Sequence, residues 1–124
     1  MWHKIDDFFR YKLPQGIKNL IRWFPIIWND RDWDYAYLCI LMETKLRQMS
    51  ENFKNHGHTM GCDKHARQTL VCAEILKKLR DDEYMEKAQK IYGKNWPKYC
   101  EVAKKEDLEY FGRIFSKHFL SWWD

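Results

Sequence analysis

With only three prolines and five glycines, the 124-residue sequence has few places where regular structure must break. No segment alternates polar and apolar residues over a convincing length, which argues against half-buried strands. No stretch reaches 18 apolar residues, so a membrane-spanning helix is not expected and a membrane is not among the expected partners. The four cysteines, Cys39, Cys62, Cys72 and Cys100, form no CxxC pair. The start, Met1 followed by Trp2, His3, Lys4 and two aspartates, lacks the apolar run of a signal peptide. These features predict a cytosolic protein with reduced thiols, in which Cys39 and Cys72 are small core residues. There is no glycine-rich phosphate loop, GxSxG, HExxH or trusted helix-turn-helix signature. No catalytic residue is assigned, and no enzyme activity or cofactor is expected. The net charge of +4 is too small to imply duplex nucleic acid, but it is compatible with a phosphorylated small molecule.

Aromatic residues, by contrast, are in surplus. Seven Trp, seven Tyr and seven Phe make up 17% of the chain. A single domain spanning residues 1–124 has too small a core to hide them all, so some are expected at a surface, a subunit interface or a pocket. The charged fraction of 32% beside 45% hydrophobic residues fits a globular protein rather than a disordered one.

The periodicity predicts an all-α fold: a compact antiparallel bundle of about four helices with short loops. Pro14-Gln15-Gly16 reads as a turn. A short amphipathic helix follows at about 16–24, ended or kinked by Pro25. A long helix starts near Asp32, whose carboxylate can cap it, and stops before Gly57. Its stripe is Tyr35, Leu38, Met42, Leu46, Met49 and Phe53. After the loop KNHGHTMGC, Asp63 can cap a helix at about 64–83 with His65, Thr69, Cys72, Leu76 and Leu79 on its stripe. A shorter piece spans about 82–92, and Gly93 to Pro97 reads as a turn. The last helix covers about 104–122, with Leu108, Phe111, Phe115, Phe119 and Trp122 on one face. The aromatic end Trp122-Trp123 must be tied down.

Three constellations carry possible chemistry. His56, His58, Cys62 and His65 are zinc-ligand types, but H-x-H-x3-C-x2-H is no standard spacing, and no metal is expected. Asp30, Asp32 and Asp34 surround Arg31. A cation and a helix N-terminus would keep such carboxylates ionised, so capping and ion pairing are expected rather than acid-base catalysis. Arg31 itself has a fork that matches carboxylate or phosphate. The third constellation is Arg22, Trp23, Trp28, Arg31, Trp33, Tyr37 and Lys45. Indole and phenol faces can stack on a nucleobase while Arg and Lys neutralise phosphates.

The string IKNLIRWFPIIWNDRDWDYAYL, the polar loop and the closing SWWD resemble small accessory proteins of tailed bacteriophages. WNDRDWD and SWWD are the most specific parts of the likeness. The resemblance implies a phage protein made in the host bacterial cytoplasm. Small phage proteins of this kind include immune-evasion sponges, compact and often oligomeric. The expected function is therefore a homo-oligomeric binding protein that sequesters a cyclic nucleotide immune signal, a cyclic ADP-ribose isomer or a cyclic dinucleotide. Trp23, Trp28, Trp33 and Tyr37 would stack on the base, and Arg22, Arg31 and Lys45 would pair with phosphates. The alternatives are a protein-protein inhibitor or virion accessory whose aromatics form an interface hot spot, and a hydrolase of such a signal.

Overall fold

A computed structural model describes residues 2–124 of the chain, and every regular element among them is helical. The fold is an all-α helical bundle, as the periodicity predicts. Its contacts group into two units, one running to Trp33 and the other Asp34–Asp124, whereas the sequence alone predicts one domain over 1–124.

The first unit is one nearly unbroken helical run. Helix α1 (Trp2–Asp7) passes through a π turn (Phe8–Lys12) into α2 (Leu13–Trp28). This corrects the expected turn at Pro14-Gln15-Gly16, which is helical. Proline has no N–H to give the preceding turn, and its ring collides with the carbonyl four residues back. A widened π turn directly before Pro14 is a place where that collision can be relieved. Pro25 does not end the helix either; α2 continues to Trp28. The Asn29 side-chain amide donates to the Pro25 carbonyl at 2.9 Å, satisfying one acceptor of the last turn. No described residue of α1, the π turn or α2 is buried.

The second unit holds the core. Helix α3 (Tyr35–His56) is capped by Asp34, whose carboxylate accepts the Ala36 N–H at 3.0 Å, two residues later than the predicted Asp32. Helix α4 (Cys62–Asp81) starts from Gly61, at φ +93°, and not from an Asp63 cap. Helix α5 (Met85–Tyr92) and a 3-10 turn (Gly93–Asn95) lead into α6 (Trp96–His118). Helix α6 begins well before the predicted residue 104, because Pro97 falls in its first turn, where the missing N–H is no loss.

Helix α3 packs chiefly on α4, and α6 packs on α4 and α5. Small side chains let the backbones approach: Thr69, Cys72 and Ala73 of α4 are wholly buried. The Thr69 hydroxyl donates back to the His65 carbonyl at 2.8 Å, and Ser50 of α3 donates to the Ala66 carbonyl at 2.7 Å. These two buried hydroxyls are thereby satisfied. Leu46 and Phe53 enter the core as predicted, but Tyr35 and Leu38 are exposed. Cys39, Cys62, Cys72 and Cys100 are all free and buried, and burial pushes the Cys72 thiol up to about 11. A buried Glu43 joins the two long helices. It pairs with Arg47 at 2.8 Å and with Arg80 of α4 at 2.9 Å, while Arg47 also reaches Glu74 at 2.8 Å.

The C-terminus is tied down at two points. The Trp122 indole N–H donates to Gln68 Oε1 at 3.0 Å, and the Asp124 carboxylate accepts the backbone N–H groups of His58 and Thr59 at 2.8 and 2.9 Å. Trp123, between them, stays exposed.

Candidate functional site

The seven residues singled out in the sequence fall on different elements. Arg22, Trp23 and Trp28 belong to α2. Arg31 and Trp33 lie in the irregular segment after it, and Tyr37 and Lys45 belong to α3. Five are therefore in the first unit and two in the second. Within the first unit, Trp23 and Trp28 share one feature. They line an open hollow of about 520 Å³ with Gly16, Asn19, Leu20, Phe24 and Ile27. Phe24 and Trp28, one turn apart, stack with ring centroids 5.6 Å apart. Arg22 is exposed on the same helix but does not line the hollow.

Arg31 is turned towards its own backbone. Its guanidinium donates to the Asp30 carbonyl at 2.6 Å and to the Trp28 carbonyl at 3.4 Å. This places a cation on the free carbonyls at the end of α2, where the helix dipole favours one. Asp34 of the surrounding acids is the helix cap described above. The arrangement is a helix stop followed by a helix start, built by Arg31 and Asp34.

The hollow at Trp23 and Trp28 contains no charged side chain; Asn19 is its one polar side chain. It belongs to a larger face. Leu20, Ile21, Phe24 and Pro25 line a second, shallower hollow beside it. Trp2, Ile5, Phe9, Leu13, Ile17, Leu20, Ile21, Phe24, Ile27 and Trp28 are all exposed, Leu20 at 72% and Trp28 at 71%. Sequence reasoning found the aromatic half of this face, but cut it off at Pro14 by reading that residue as a turn.

One other place was not legible as a site. Between α5 and α6 lies a hollow of about 550 Å³, lined among others by Lys78, Tyr84, Lys87, Tyr92, Tyr99 and Asp107. Tyr92 and Tyr99 stack at 3.6 Å with their planes 11° apart. The Tyr84 hydroxyl donates to Asp107 at 2.6 Å, and Lys78 lies 3.2 Å from the same carboxylate. Burial, followed by this hydrogen bond, raises the Tyr84 pKa and keeps the phenol neutral. The stacked pair bridges a helix end and the next helix start, which no single-helix periodicity reveals.

The histidine-cysteine loop has taken on a structural role. Cys62 is buried against Gly57, where a Cβ on Gly57 would stand 2.6 Å from Cys62 Cβ and 2.5 Å from the Phe53 carbonyl. His58 Nδ1 lies 3.1 Å from Asp124, and His65 packs edge-on to Phe53 with centroids 5.5 Å apart. Among the described residues, no three His, Cys, Asp or Glu side chains gather in a way that would hold a metal ion. Comparison with family models, with curated proteins and with solved structures returns no match.

Proposed function

We propose that this is a non-catalytic binding protein whose working surface is the apolar face of the first helical run. One observation carries the reading: from Trp2 to Trp28 the chain is helical, displays large apolar side chains and buries none of them. A soluble helix keeps so broad an apolar arc only when something else covers it. In this reading the Asp34–Asp124 unit supplies a stable body and the first helix supplies the contact. The protein then belongs with interaction proteins, such as inhibitors and virion accessories, rather than with enzymes. The test is retention of the full chain on an octyl matrix at moderate salt. Leu20→Asp, at an exposed position, should abolish retention and leave the helical circular dichroism signal and melting temperature unchanged. Undiminished retention of Leu20→Asp would remove this face from the function.

Sequestration of a cyclic nucleotide signal by a homo-oligomer, which the phage likeness implies, is the second reading. The observation in its favour is the α5–α6 hollow, which has the volume of a ligand pocket and is lined by tyrosine rings; its two lysines, Lys78 and Lys87, stand beside three acids, Glu83, Glu106 and Asp107. In that case Tyr99→Ala should abolish the heat of binding when cyclic nucleotides are titrated into the protein, whereas Leu20→Asp should not. A titration without heat for cyclic dinucleotides and cyclic ADP-ribose isomers would rule the second reading out.

A further inference from the structure

We propose that the first helical run docks in the plane of an anionic membrane surface, with its apolar face in the lipid boundary and its cations at the headgroups. The inference rests on the reading of that face as the working surface and names what covers it. No helix of the described residues is long and apolar enough to cross a membrane. A helix that lies in the interface has other requirements: a wide apolar arc, aromatic residues, and lysines and arginines on the rest of its circumference.

The run meets each of them. At about 100° per α-helical residue, and with the smaller step per residue of the π turn, Trp2, Ile5, Phe9, Leu13, Ile17, Leu20, Phe24, Ile27 and Trp28 fall on one side. The π turn is what aligns them. In an uninterrupted α-helix the residues before Phe8 would be rotated roughly a quarter turn from those after Lys12. Lys4 and Lys12 then border one edge of the apolar arc and Arg10 the other, with Lys18 and Arg22 behind. Long cationic side chains at such edges can lay their stems on the apolar side and present the charge to headgroups. Between Trp2 and Trp28, these five cations face only Asp6 and Asp7, and Arg10 is already paired with Asp6 at 3.2 Å.

The charge chooses between two occupants. A second copy of the helix would bring the same excess of cations against itself, whereas an anionic lipid surface neutralises it. The width of the apolar arc points the same way, because a two-helix seam uses a narrower stripe. Aromatic residues recur along the apolar side, Trp2, Phe9, Phe24 and Trp28, and amphipathic rings such as the indole favour the headgroup level.

The experiment is flotation of the full chain with phosphatidylcholine vesicles, with and without a third of phosphatidylglycerol. Wild type should float with the anionic vesicles, and its partitioning should fall at least about tenfold on neutral ones. The double variant Lys12→Glu/Lys18→Glu should lose binding to a similar extent, and Leu20→Asp should not float at all. Absence of flotation, or equal flotation with both vesicle types, overturns the proposal. Light scattering on the same samples separates this failure from failure of the underlying reading. If wild type does not float but is an oligomer that Leu20→Asp dissociates, a second copy covers the face, and only the lipid is refuted. If Leu20→Asp changes neither flotation nor mass, the face has no role and both statements fall.

Discussion

Asp124 accepts hydrogen bonds from two backbone amides, and its negative charge strengthens both. Those bonds to His58 and Thr59, with the His58 ring, hold its carboxyl well below the ordinary value of 3.8. A depressed carboxylate pKa stabilises the folded state fully above the unfolded value, and the contribution fades as pH falls towards the folded one. The melting temperature of the wild type should therefore decline as pH drops from about 4 towards 2. Asp124→Asn keeps the shape and removes the charge. It should melt lower than wild type at pH 7, and the gap between the two should narrow over the same acid range. Melting curves at several pH values check this; a constant gap down to pH 2 would show that the charge of Asp124 plays no part in holding the loop.

Helices α3 and α4 are joined by apolar packing and by one buried charge. Glu43 is only 9% exposed, and Arg47 and Arg80 both converge on it. Removing one partner of such a group leaves the others desolvated without compensation, at a cost of about 3 kcal/mol. Glu43→Gln should lower the unfolding free energy by that order in a urea titration, with little change in slope. A loss under about 1 kcal/mol would place the pair among ordinary surface ion pairs. Neither Glu43 nor its partners was legible as a core element. Three- and four-residue spacing selects apolar residues and passes over Glu43, Arg47 and Arg80, and the Glu43–Arg80 pairing joins distant parts of the chain. The same spacing succeeded where burial is apolar and local, at Leu46, Phe53, Cys72, Leu76 and Leu79. It failed at Tyr35 and Leu38, whose step along the helix is right but which no neighbouring helix covers. Of the site, Trp23 and Trp28 were legible only as members of one aromatic string; that a single helix carries both was hidden by reading Pro25 as its end or kink, although α2 runs through to Trp28. Arg31 was legible as a special residue but not as a cap on backbone carbonyls, since those carbonyls become acceptors only once α2 is known to run to Trp28.

Every buried residue among those described lies in Asp34–Asp124, and none lies before it. That unit contains its own cap at Asp34, its own core and the contacts that hold its C-terminus. A chain starting at residue 34 should unfold cooperatively on heating and keep a melting temperature within a few degrees of the full chain. A fragment without a cooperative transition would mean that the core depends on the first helix. On the surface, the π turn at Phe8–Lys12 has a consequence for how the sequence can change. Converting that turn to a regular α-helix at constant length would rotate Trp2 and Ile5 roughly a quarter turn away from Leu20 and Phe24. Deleting one residue there removes one α-helical step of about 100°, which offsets that rotation and leaves both segments on one side. The segment thus carries one residue more than a regular helix needs, and the shared face tolerates the loss of that residue better than a change of the turn to α-helix at unchanged length.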